Sequence, residues 1–255
     1  MKVKKEGLKT PYLSVWALMA RISFYKIMML LALMLIVEGG IFYYRRHTVY
    51  AAYGVSASHV EEIFYNNRMP MIFFLTLGLV FLILFWTQNR LWSRSGYIMG
   101  RLRLTEAEVF VVRTVYSGLC MALVFLLQVL IVFWMIWQCK TDVDLGGNAP
   151  QIYFFAFYGN SFLHCLLPMA EWGKWVRNLL FITACAMEAA GAGGKGRYAE
   201  PVCLYILSAS WFESDMGINV FDVISVTVSV IVIVSVVWRQ VSNGRRAGGL
   251  RKKLL

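Results

Sequence analysis

Five polar residues interrupt long apolar runs, in positions where they could handle an ion, a proton or a substrate: Glu38, Asn160, Ser161, His164 and Glu188. A polar or ionisable group inside a membrane span is expensive, so each points to a path through the protein or to a polar partner on a neighbouring helix. Packing is the commoner use of such residues. Glu38, in Glu38-Gly39-Gly40, lies about two-thirds of the way along its run, from where it can also snorkel to the far interface. Glu38, Asn160 and His164 are the candidates for lining a path.

Other arrangements carry less chemistry. Glu61-Glu62 followed by Arg68 invites comparison with the paired-glutamate motif of intramembrane CAAX-type proteases. That motif needs glutamates and arginine one helical turn apart and two histidines on neighbouring spans. Here Arg68 is six residues past Glu62, and of His47, His59 and His164 only the last lies in an apolar run. No histidine spacing suits a metal, and HExxH is absent. Gly191-Ala-Gly-Gly-Lys-Gly196 reads as GxGxxG, but it follows no strand and precedes no ribose-binding acid in a βαβ unit. No Ser or Thr follows Lys195, so it is not a Walker A either, and no nucleophile elbow occurs. Cys120, Cys139, Cys165, Cys185 and Cys203 form no CxxC and read as small apolar packing residues. The expectation is a chain that is not itself an enzyme and holds no cofactor or metal.

Residues 90–112 form a basic interruption between two apolar runs, with Arg90, Arg94, Arg101 and Arg103 against Glu106 and Glu108. If 90–102 is helical, Arg90, Arg94, Tyr97 and Arg101 share one face, beside an apolar face of Leu91, Ile98, Met99 and Leu102. Thr105-Glu-Ala-Glu108 fits a capping box, in which the Thr105 hydroxyl accepts the Glu108 amide and the Glu108 carboxylate reaches back to the Thr105 amide. A helix from Glu106 to Trp137 would measure roughly 48 Å, more than the roughly 20 residues that a bilayer core requires. Its first turns should project from the membrane and carry a short crosswise helix, which is the geometry of a docking surface. The simpler use of such a cluster is to anchor a loop to anionic headgroups.

Composition sets the frame for these residues. The 255-residue chain is 59% hydrophobic and 15% charged, with a mean hydropathy of +0.61. Apolar runs of 18 or more residues recur, more than a soluble core can absorb, so this is an all-α polytopic membrane protein. The net charge of +11 reflects basic residues flanking apolar runs, which favours membrane topology over nucleic-acid binding. We expect one domain over 1–255: a tail and interfacial helix over 1–26, a membrane domain over 27–238 and a basic tail over 239–255. Thr10-Pro11 starts the helix at 11–25, read as lying in the interface; the alternative makes it the start of the first span. The first 26 residues are too charged and interrupted for a cleavable signal peptide.

Six transmembrane helices are expected. Four are 27–44, 69–86, one inside 111–137, and 218–238. Of the runs 152–170, 175–193 and 201–212, two should cross and one should be re-entrant or interfacial. The shortest, 201–212, is the first choice for the re-entrant segment before the last span, with 152–170 as the alternative. Both termini then share a side, and only Arg45, Arg46, Arg68, Lys140, Lys195 and Arg197 of the 25 Lys and Arg fall opposite. That bias puts both termini and the 90–112 loop in the cytoplasm of a cell-membrane protein. The alternative exchanges Lys174 and Arg177 for Lys195 and Arg197, so charge cannot choose between the two.

This arrangement resembles the integral membrane permease subunits of type-2 ABC exporters. The most telling match is Leu102-Arg-Leu-Thr-Glu-Ala-Glu108 ahead of a long third span, where such permeases commonly carry a Leu-Pro-x-Ser/Thr-x-x-Glu-like stretch. No proline follows Leu102 or Leu104, and Arg113 stands in for the usual lysine further on. The resemblance implies that a separate cytoplasmic ATPase binds the ATP, and that a second permease, identical or paralogous, completes the assembly. It assigns ATPase contact to Arg94, Tyr97, Arg101, Arg103, Thr105 and Glu106. A hydrophobic, amphiphilic or peptide substrate would suit the spans. Other classes are a non-transporting membrane anchor or immunity-type binding protein, and a secondary transporter, for which no internal repeat is evident.

Overall fold

The computed structural model describes residues 10–54, 62–64, 68–101, 104–142, 156–157, 160–168, 171–191 and 220–253; for 10, 11, 88–101, 142, 221 and 243–253 it describes the helical backbone alone. Among the described residues these helices follow in order: α1 Thr10–Tyr53, α2 Met69–Arg101, α3 Glu106–Asp142, α4 Ser161–Leu166, α5 Trp172–Gly191 and α6 Val220–Lys253. Four of them contain stretches long and apolar enough to cross a membrane: Tyr12–Tyr53, Met69–Thr87, Glu106–Thr141 and Asp222–Ser242. The described chain is an all-helical bundle of membrane-spanning type.

Local chemistry sets the helix ends. Pro70 sits in the first turn of α2, where a missing N–H costs nothing. α1 stops at Gly54, whose φ of +80° suits only glycine without strain, and whose N–H donates to the Tyr50 carbonyl at 3.0 Å. α3 starts with the expected box: Thr105 N–H donates to Glu108 Oε2 at 2.8 Å, and the Glu108 N–H to Thr105 Oγ1 at 3.3 Å.

α1 and α3 run side by side in the same direction. Tyr12 meets Glu108 near their starts, Ser23 meets Tyr116, Glu38 meets Gln128, and Tyr43 lies 6.0 Å from Trp134 near their ends. α2 returns against both, with the Phe73 ring 4.9 Å from Phe125. α5 packs on α2, α3 and α6. The Arg177–Asp222 and Glu188–Arg239 pairs make α5 and α6 parallel, and the approach of Gly191 to Phe110 and Val236 puts the end of α5 beside the start of α3. The start of α1 and the far part of α6 therefore share one end of the bundle.

The buried face of α1 repeats every three or four residues, through Val15, Met19, Ser23, Ile27, Leu31, Met34, Glu38 and Phe42. The opposite face exposes Met29 at 69% and Ile36 at 66%. Large apolar side chains presented so openly suit lipid and not water.

Two expectations change here. Residues 11–25 are not a separate interfacial helix: α1 is one helix of 44 residues. Val15 and Met19, 2% and 1% exposed, are buried in the bundle, and Trp16 meets the Tyr116 ring edge-on at 5.3 Å. Burial against α3 removes the apolar face that would otherwise lie in the headgroups. Likewise, residues 88–101 continue α2 instead of crossing it as a separate element. Within 152–170, the helix described is the six-residue α4, too short to cross. The 201–212 segment, the other candidate for a re-entrant piece, lies outside the described residues.

Candidate functional site

Polar chemistry concentrates in two places, the capped end of the bundle and its interior. At the capped end, the Glu108 carboxylate accepts three hydrogen bonds: the Thr105 N–H and hydroxyl on Oε2 at 2.8 and 2.9 Å, and the Tyr12 hydroxyl on Oε1 at 2.8 Å. The capping carboxylate thus ties the start of α1 to the start of α3. Thr105 and Glu106 are exposed on this end. Arg94, Tyr97 and Arg101 lie in the part of α2 that runs on past Thr87, where only the backbone is described; Arg103 is outside the described residues.

The interior holds a charged cluster at the opposite end. Lys174 Nζ is 2.9 Å from Glu171 Oε2 and 3.5 Å from His164 Nδ1. One turn on, Arg177 donates through Nη1 to Asp222 Oδ1 of α6, and through Nε and Nη2 to Asn178 Oδ1 at 3.3 and 3.1 Å. Asn178 Nδ2 donates to the Cys165 carbonyl at 2.9 Å, which fixes α4 against α5. Lys174 and Arg177 are each 1% exposed. Charges this deep persist when paired, and the two bases here face two acids. His164 is held below its ordinary 6.5, first by burial and then by Lys174, with Glu171 opposing.

Of the three path candidates, Asn160 caps α4. Its Oδ1 accepts the Phe162 and Leu163 amides at 3.0 and 3.3 Å, and its Nδ2 donates to the Phe64 carbonyl at 2.8 Å. His164 belongs to the charged cluster. Glu38 is separate, fully buried in α1 and accepting Gln128 Nε2 on Oε2 at 3.0 Å. Glu188, near the end of α5, lies 3.7 Å from Arg239 Nη2. These residues do not converge on one pocket; they lie at different heights of the helix seams. Among the described residues, no group of His, Cys, Asp and Glu could hold a metal ion.

In the sequence, Lys174 and Arg177 enter only through the charge bias across the membrane, and nothing there singles out Asp222 or Gln128. The signal available was complementarity: two bases one turn apart in one apolar run, and a lone acid opening another. Comparison with protein-family models, with curated proteins and with solved structures returns no match.

Proposed function

We propose that the chain is the membrane-spanning permease subunit of a type-2 ABC-type exporter, with ATP hydrolysed by a separate cytoplasmic ATPase. The observation that carries this reading is the overshoot of α2: its 33-residue helix runs on from the apolar run at 69–86 through Arg90, Arg94 and Arg101. The remainder is on the order of 20 Å of polar, arginine-bearing helix, leading into the capped start of α3. A helix pair prolonged beyond the bilayer and braced by Tyr12–Glu108 is suited to pass a push from a bound partner into the spans.

In this reading that end faces the cytoplasm, together with both termini of a cell-membrane protein. The chain itself performs no catalysis and binds no cofactor. Arg94, Tyr97, Arg101, Arg103, Thr105 and Glu106 contact the ATPase. A second permease, identical or paralogous, completes the transport path, and the cargo is hydrophobic, amphiphilic or a peptide.

The test is affinity purification of the tagged protein in mild detergent, with mass identification of what accompanies it. A stoichiometric ATPase that is lost in the Arg94→Glu/Arg101→Glu double variant supports the reading. A partner-free protein would turn it toward a membrane anchor, an immunity-type binding protein or a secondary transporter. Unchanged export by the double variant would remove 88–101 from the mechanism.

A further inference from the structure

Among the described residues, the stretches around Glu38 carry no cation. The helices packed most closely against α1 are α2 and α3. No Lys, Arg or His occurs over 27–44 of α1, 69–87 of α2 or 114–139 of α3. The titratable groups over these stretches are Tyr43 and Tyr44 of α1 and Tyr116, Cys120 and Cys139 of α3, with the exposed Glu62 at 62–64 nearby in sequence. None supplies a positive charge. Glu38 and Gln128 are both fully buried, and the Gln128 amide donates to Glu38 Oε2 at 3.0 Å. Glu38 Oε1 and Gln128 Oε1 are each buried without a hydrogen-bond partner.

Two acceptor atoms left over on a hydrogen-bonded carboxyl and amide pose one chemical problem, and one proton solves it. Among the described residues, an ionised carboxylate has no donor for its second oxygen and no counter-charge in a low-dielectric span. A carboxylic acid has an O–H to give. Acid and amide can then pair reciprocally, amide N–H to acid oxygen and acid O–H to amide oxygen, leaving neither orphan atom. We propose that Glu38 and Gln128 form a proton-binding site within the membrane bundle, in which a neutral Glu38 carboxyl and the Gln128 amide exchange two hydrogen bonds and clasp α1 to α3. The proton comes from bulk water: one O–H bond forms on the Glu38 carboxyl as one breaks on hydronium, and the clasp itself is two hydrogen bonds. The inference does not depend on the transport reading.

Infrared spectroscopy of the full-length protein in bilayers at neutral pH tests it, because exposed and ion-paired carboxyls are ionised there. The wild type is expected to show a carboxylic-acid C=O stretch that disappears in Glu38→Gln. Since glutamine copies the shape and donor of the protonated acid, Glu38→Gln is also expected to fold, with a melting temperature within a few degrees of the wild type. Gln128→Leu, which keeps the acid and removes its partner, should retain the band and move it to higher frequency. A wild-type spectrum with no acid band overturns the proposal without recourse to any variant. So does an acid band that survives in Glu38→Gln, or a Glu38→Gln protein that fails to fold while Glu38→Asp folds.

Discussion

Arg177 of α5 and Asp222 of α6 are hydrogen-bonded to each other deep in the bundle, at 1% and 6% exposure, and they lock two helices that run in the same direction. Removing one partner strands the other charge. Asp222→Ala should cost about 3–5 kcal/mol, whereas Arg177→Met combined with Asp222→Leu should recover most of that loss. Thermal melts of the single and double variants in one detergent form the cycle. Single variants as stable as the wild type would show the pair to be dispensable.

The cap at Thr105 gives a second prediction. Thr105→Ala removes the side-chain acceptor of the Glu108 amide and should cost about 1 kcal/mol, while Thr105→Ser should cost little. Hydrogen exchange localises the effect: amides in the first turn of α3 should exchange faster in Thr105→Ala, and those in α6 should not change.

The third concerns the approach of α3 to α5. A Cβ built on Gly118 would lie 3.6 Å from the Ala186 Cβ, ordinary contact. Gly118→Ala should therefore be tolerated. Gly118→Ile would force the two helices apart and should lower stability by about 1–3 kcal/mol, measured as a fall in melting temperature. The same loss in Gly118→Ala would show that the space is already filled.

The fourth is a pH effect at His164, which lies in α4, outside the four spanning helices. Burial and the neighbouring Lys174 disfavour its protonated form, so the folded protein takes up that proton at a lower pH than the unfolded chain, which does so near 6.5. Stability from this group is therefore fully present above 6.5 and is lost as pH falls below it. Melting temperature should decline from pH 7.5 toward 5.5, and His164→Gln should flatten that decline. An identical slope in the variant would assign the effect to another group.

How much of this was legible in the sequence depended on how local each signal was. The Thr105–Glu108 cap was readable because its two groups are three residues apart. The spans at 69–86 and within 111–137 were readable because unbroken apolar runs have few other uses. The fate of 11–25 was not, because its apolar face suits a headgroup layer as well as a helix, and what decides is α3, brought alongside by Tyr12 and Trp16. The side of Lys174 and Arg177 stayed open for a related reason. A rule that assigns basic residues to a membrane face assumes that they meet water, whereas these two meet Glu171 and Asp222. Glu38 was visible as an oddity, but its partner Gln128 lies 90 residues away and no pattern connects them.

The parallel course of α5 and α6 also bears on how the chain is made. Neighbouring helices that form a hairpin can zip together as soon as the second leaves the ribosome. Here α5 ends and α6 begins at opposite ends of the bundle, so synthesis must carry the chain back across before Asp222 can reach Arg177. Until Asp222 is made, Arg177 lacks the acid that it pairs with in the folded bundle, and it is α6 that completes this seam.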